Sequence, residues 1–202
     1  MFCYVHQNFA YIKMPKNGSS TYADFFEKHG WVKTDLFYND LDLDNTIFFG
    51  HITEPNHRHT KGIAQYLLNT HQMNLLDHEL ERLLVSGVFD EHCYSIHMMI
   101  PHLVDRVNWI PLDYTSAYNK NNNGDSLTND FFKKHNLNLR YLPSDRLNTA
   151  DLPRLAVYNR INELKVKYNE EYQKLVKNFL EPDLKLYNNT LDMYYQMELE
   201  QD

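Results

Sequence analysis

One stretch constrains this chain more than any other: Phe9-Ala10-Tyr11-Ile12-Lys13-Met14-Pro15-Lys16-Asn17-Gly18-Ser19-Ser20-Thr21-Tyr22-Ala23-Asp24-Phe25-Phe26. Its first part is rich in aromatic and β-branched residues and reads as a strand. Pro15 ends that strand, and Asn17-Gly18 supplies a turn with easy access to positive φ. Ser19, Ser20 and Thr21 are helix-capping residue types. The apolar residues after them, Tyr22, Ala23, Phe25 and Phe26, recur at helical spacing. Strand, tight turn and helix in that order make an anion site. The first amides of the helix lack partners within it, and the helix dipole favours negative charge there. Lys16 adds a formal positive charge. The ATP-binding loop requires Gly-x-x-x-x-Gly-Lys-Ser/Thr, with lysine after the second glycine. Here Lys16 precedes Gly18, which turns the anion site away from ATP.

The rest of the chain must supply a sheet and helices around this corner. Thr46-Ile47-Phe48-Phe49-Gly50-His51-Ile52 is a nearly continuous apolar run, as in a strand buried on both faces of a parallel sheet. Residues 53–68 read as a strand end, a proline-containing turn and a helix. A helix is predicted over 75–86, stopping at Gly87. Residues 107–113 read as another buried strand, ended by Pro111. Gly30 to Asp44 reads as a solvated connection, and 119–126 as a polar turn-rich loop. Phe131 and Phe132 pack a short helix. In the C-terminal third Ile161, Leu164, Tyr168, Tyr172, Leu175 and Phe179 form a helical apolar stripe, and Glu181-Pro182-Asp183 breaks it.

Composition narrows the function classes. At 202 residues, 43% hydrophobic and 14% aromatic, the chain is long enough to bury a core as a single domain over 1–202. A net charge of −7 argues against a general nucleic-acid binder. Cys3 and Cys93 have no metal-type spacing and suit free thiols in a reducing compartment. No basic segment followed by an apolar run opens the chain, and no run approaches the roughly 20 apolar residues that span a bilayer. A soluble, cytoplasmic protein without a membrane partner is therefore expected. Eleven histidines invite a metal hypothesis. Yet His92, His97 and His102 are five apart, a rotation of about 140° per step on a helix, so they share no face. His57 and His59 match no zinc spacing, and no metal site is expected.

The order Pro15-Lys16-x-Gly18-Ser19-Ser20-Thr21 resembles the 5′-phosphosulfate loop of sulfotransferases that use 3′-phosphoadenosine 5′-phosphosulfate (PAPS). Thr53-Glu54-Pro55-Asn56-His57-Arg58-His59-Thr60-Lys61 resembles their 3′-phosphate segment, Arg-Asp/Glu-Pro-x-x-Arg-x-x-Ser. Glu54, Pro55 and Arg58 match; Thr53 stands in place of the arginine, and Lys61 in place of the serine. Asp90 and His92 match the Asp-x-His-x-x-Pro-Gln segment of the carbohydrate-type members, although Ser95 and Ile96 replace Pro-Gln. Asp183-Leu184-Lys185-Leu186-Tyr187 is similar to a common ending of these domains.

The resemblance implies an α/β, three-layer, P-loop-like domain with a short parallel sheet, helices on both faces and a helical C-terminal part. It implies sulfuryl transfer from PAPS, as co-substrate, to a hydroxyl of a carbohydrate or small metabolite, with no metal required. It places Pro15, Lys16, Asn17, Gly18, Ser19, Ser20 and Thr21 around the 5′-phosphate, Lys16 at the leaving bridging oxygen, and Arg58 and Lys61 at the 3′-phosphate. Candidates for the general base are His92, which sits in a family-like motif, His51, near the end of a predicted strand, and Glu54, which also suits a structural pair with Arg58. Two other readings stay open: a sulfotransferase-like anion-binding module without catalysis, and a nucleotide kinase-like enzyme, against which the lysine order speaks. Acceptor and oligomeric state are not set by these residues.

Overall fold

A computed structural model describes residues 1–36, 41–70, 91–116, 123–142 and 152–200, together with Glu79 and Arg82. The helix expected over 75–86, all but two of its residues, lies outside the described residues, as do Asp90 and the first half, 119–122, of the polar loop expected at 119–126; Gly124, Asp125 and Ser126 of that loop begin a helix instead. The chain forms two compact units. The first comprises Met1–Thr53, His102–Leu147 and Tyr187–Asp202, and the second Glu54–Pro101 and Asn148–Leu186.

Among the described residues five strands are present, all in the first unit: β1 (Phe2–His6), β2 (Phe9–Ile12), β3 (Val32–Asp35), β4 (Ile47–Ile52) and β5 (Val107–Pro111). They form one sheet in the order β3-β1-β2-β4-β5. The expected parallel sheet is in fact mixed. β2, β4 and β5 run parallel, whereas β1 pairs antiparallel with both β2 and β3. The reason is local. His6 pairs with Phe9 across a two-residue turn in which Gln7 holds φ at 53°, so the chain reverses at once into a hairpin. β3 then returns along the outer edge of β1. The sequence hides β3 because an edge strand with a solvated side has no apolar run; Val32 is 66% exposed.

Register decides which face carries the core. Tyr4 pairs with Tyr11, and Tyr11 with Phe49, so their rings line one face. Against that face lie Tyr22, Phe25 and Phe26 of α1 (Ser19–Lys28) and Leu127, Phe131 and Phe132 of α4 (Gly124–Lys134). Each such side chain contributes about 1.5–3 kcal/mol when fully buried. The Asn123 side chain starts α4 by accepting from the Asp125 and Ser126 amides at 3.0 and 3.1 Å.

The second unit is helical. It holds α2 (Pro55–Asn69), α3 (Ile96–Met99), α5 (Leu152–Lys167), α6 (Asn169–Leu175) and the first residues of α7 (Glu181–Leu199). Its core joins Ile63, Ala64 and Leu67 to Ile161, Leu164, Tyr172 and Leu175. The expected stripe holds up to Leu175 and then slips. Val176–Leu180 is a π turn, which admits one extra residue. Leu180 is therefore buried, at 1%, where Phe179, at 37%, was expected. Glu181-Pro182-Asp183 does not break the helical run either. Pro182 lies in the first turn of α7, where its missing N–H has no helical acceptor to lose. No helix among the described residues is long and apolar enough to cross a membrane.

Gly62 of α2 faces the segment that carries His92. A Cβ at Gly62 would lie 2.3 Å from the His92 carbonyl oxygen and 3.0 Å from Cys93 Sγ. In an exposed helix Gly→Ala stabilises by up to about 1 kcal/mol. Here Gly62→Ala is expected to destabilise by about 1–3 kcal/mol, the usual range for overpacking. A urea midpoint that rises in this variant would contradict that close approach.

Candidate anion-binding site

The site is built where the parallel strands end. In open α/β sheets ligands collect beyond the carboxyl ends of such strands. β2 leads into the loop 13–18, β4 is followed by Thr53, and β5 by Leu112, all within the first unit. Met14 turns back through its carbonyl, which accepts from the Asn17 amide at 3.4 Å. Lys16 and Gly18 both occupy left-handed conformations, with φ of 62° and 68°. For a lysine that conformation costs about 1–2 kcal/mol, so the tertiary structure holds it there. Alternating backbone hands of this kind turn successive amides inward, the geometry of an anion nest.

Gly18 is the N-cap of α1 and provides no side-chain cap. Ser19, Ser20 and Thr21, expected as caps, instead form the first turn. The consequence is chemical. A serine cap would occupy one of the orphan amides, whereas Gly18 leaves the Ser19 and Ser20 amides with no side-chain cap. Ser19 is buried, Ser20 exposed, and Pro15, Lys16 and Thr21 half-buried. A Cβ on Gly18 would also meet Leu112 Cδ1 at 2.8 Å.

The Asn17 side chain braces the loop. It is 1% exposed, and its Oδ1 accepts from the Thr53 amide at 3.2 Å and from Thr53 Oγ1 at 2.8 Å. It ties the loop to the end of β4. Its Nδ2 is buried and has no hydrogen-bond partner among the described residues.

His51 is not at the site. It is fully buried, with its ring 3.7 Å from that of Tyr22. Thr128 Oγ1 donates to the Gly124 carbonyl at 2.9 Å and so accepts from His51 Nε2–H at 3.0 Å. Nδ1 then accepts from the Tyr11 hydroxyl at 3.3 Å, and the Tyr22 hydroxyl lies within reach of Asp125 Oδ1 at 3.3 Å and Thr128 Oγ1 at 3.2 Å. Burial pushes His51 down to about 3. A neutral imidazole sealed in the core cannot take a proton from an incoming hydroxyl, and the expected catalytic role for His51 is withdrawn.

In the second unit Glu54 caps α2. Its carboxylate accepts from the Asn56 and His57 amides at 3.1 and 2.7 Å. The expected Glu54–Arg58 pair does not form through their side chains. Arg58, 2% exposed, donates from Nη2 to the Tyr94 carbonyl and, at 3.1 Å, to Asp183 Oδ2. Asp183 is fully buried and also accepts from the Ile96 amide at 2.7 Å and from His97 Nδ1 at 2.8 Å. Lys61, two turns into α2, and His92 are half-buried.

Sequence reasoning missed a further polar cluster. Lys165 is 9% exposed, and its ammonium donates to the Asn56 carbonyl at 3.0 Å, Thr60 Oγ1 at 2.7 Å and the Tyr172 hydroxyl at 2.8 Å. The Tyr172 hydroxyl donates to Asn56 Oδ1 at 2.9 Å. A signal was present, since 161, 165, 168 and 172 follow one helical face and Lys165 is the charged member. Burial pulls Lys165 down to about 7, against the opposing pull of Glu54. Between about 7 and its ordinary 10.5 the unfolded chain holds a proton that the folded chain has released. Stability from this group therefore rises with pH through that window and is flat below it. Denaturant midpoints taken on the two sides of pH 7 should show the rise, and Lys165→Met should flatten it; equal slopes in the two proteins would refute the assignment.

Comparisons with protein-family models, with curated proteins and with solved structures find no match to this chain.

Proposed function

We propose that the chain is a sulfotransferase that moves a sulfuryl group from a nucleoside 5′-phosphosulfate donor of the PAPS type to an acceptor hydroxyl. The observation that carries the proposal is the loop at 14–21: two left-handed residues at the carboxyl end of a parallel strand, running into a helix whose first amides have no side-chain cap. Its residue order matches the phosphosulfate loop, with lysine ahead of glycine. A second observation supports the resemblance. Arg58 and Asp183, which belong to two separately matched segments 125 residues apart, form one buried ion pair.

In the proposed reaction an acceptor oxygen forms its bond to sulfur as the bond from sulfur to the bridging phosphate oxygen breaks. The electron pair leaves on the phosphate. Such transfer depends on positioning and on stabilising charge where it develops. The backbone of Lys16 to Ser20 holds the 5′-phosphate, and the Lys16 ammonium offsets charge on the departing oxygen. The resemblance assigns the acceptor proton to His92. Of the three base candidates, His51 is sealed and Glu54 is engaged in capping. Free Cys3 and Cys93 suit the reducing cytoplasm proposed as its location.

The test pairs calorimetric titration of adenosine 3′,5′-bisphosphate, the desulfated donor, with turnover on a panel of hydroxylated acceptors. Saturable binding and transfer are expected. Binding without transfer on every acceptor would favour the second reading, an anion-binding module, which the loss of His51 as a base also supports. Absence of binding would reject both.

A further inference from the structure

We propose that the Asn17 side chain is itself a ligand group of the loop at 14–21: its carboxamide Nδ2 donates to an oxygen of the 5′-phosphate, beside the backbone amides. The proposal rests on the sulfotransferase reading and adds a binding group to its donor site. Every protein group it uses belongs to the first unit.

The orientation of the carboxamide is fixed by chemistry. The Thr53 amide can only donate, so the Asn17 atom 3.2 Å from it is the carbonyl oxygen. The Thr53 hydroxyl donates to the same Oδ1 at 2.8 Å. Those two bonds use both lone pairs of Oδ1. What is left of the side chain can only donate, through the two hydrogens on Nδ2. Asn17 is 1% exposed, and Nδ2 has no partner among the described residues. Most buried side-chain donors are satisfied, and one left open calls for an explanation. Inside a ligand loop the explanation is an acceptor that comes with the ligand.

Position agrees with this. Asn17 lies between two left-handed residues, Lys16 and Gly18, in the turn that directs amides inward. It follows β2, and its Oδ1 meets Thr53, the residue after β4. The carboxamide thus bridges the carboxyl ends of two parallel strands, where open α/β sheets bind ligands. The first turn of α1 adds amides without a side-chain cap. A phosphate offers only acceptor oxygens to such a site, whereas a cation or a ligand N–H would face donors alone. Nδ2 is sealed from solvent, so the contact forms as the loop shifts onto its anion.

The test is a proton–nitrogen NMR titration of the full chain with adenosine 3′,5′-bisphosphate, following the Asn17 side-chain amide pair assigned by through-bond correlation. Calorimetry with the same nucleotide compares the wild-type chain with Asn17→Asp and Thr53→Val. Asn17→Asp keeps one oxygen for Thr53 and replaces the donor by an acceptor; Thr53→Val removes the hydroxyl brace and leaves Nδ2. The expected result is a downfield shift of the Asn17 pair at saturation and binding weaker by about tenfold or more in Asn17→Asp, with a smaller loss in Thr53→Val. A pair that stays in place while the backbone amides of 16–20 move overturns the proposal and leaves the sulfotransferase reading standing. Equal losses in the two variants overturn it as well, making Asn17 a brace only. The NMR measurement uses the wild-type chain and decides the matter even if Asn17→Asp does not fold. If the nucleotide moves neither the side-chain pair nor the loop amides, the phosphosulfate loop reading fails and this inference fails with it.

Discussion

Asp183→Ala is expected to destabilise the protein by about 3–5 kcal/mol, the loss seen when one partner of a buried ion pair is removed. The magnitude follows from what is left behind. Asp183 is fully buried, and its two oxygens accept from the Arg58 guanidinium, the Ile96 amide and His97 Nδ1. Alanine leaves a guanidinium charge in a site that is 2% exposed, together with an orphaned amide. Arg58→Ala should cost a similar amount, because it strands the carboxylate. The informative variant is the double replacement Arg58→Met with Asp183→Leu. Swapping both charges for apolar groups of similar size is often close to neutral. Equilibrium unfolding in urea measures all of them. If the double variant is as unstable as either single one, the packing of α2 on this cluster matters more than the uncompensated charge.

On the proposed sulfuryl transfer, Lys16→Ala should lower turnover by about 10²–10³-fold, the usual penalty for removing one preorganised charge or donor from a developing anion. Alanine retains a Cβ, so the left-handed strain at φ 62° remains and the change isolates the ammonium. Binding of the desulfated donor should weaken less than turnover does, because the ammonium meets its full charge only as the bridging oxygen departs. The comparison of kcat with the dissociation constant, measured on one preparation, separates the two effects. Equal losses in both would make Lys16 a ground-state anchor. No loss in either would remove it from the site.

How far the site was legible in the sequence differs from residue to residue. Strand β2, helix α1, strand β4, helix α2 and strand β5 were readable because apolar periodicity, proline and glycine act over a few residues. Helix α4 was readable from Phe131 and Phe132. Strands β1 and β3 were not read, since a short hairpin arm and an exposed edge strand carry no periodic signal strong enough to separate them from a leader and a loop. The π turn at Val176–Leu180 was also invisible. Its one-residue shift is imposed by what Leu180 packs against.

By itself the sequence determined the corner at 9–26, with glycine at the αL position and a helix start after it, because those are local backbone preferences. It also determined the α/β class. Only the tertiary structure decided what each polar side chain does. It made His51 a sealed core group, Asn17 a brace for Thr53, Glu54 a helix cap and Arg58 the partner of Asp183. Such roles depend on burial and on partners as many as 125 residues away in the chain. A residue type states which bonds it can make; the packed fold states which of them remain to be made.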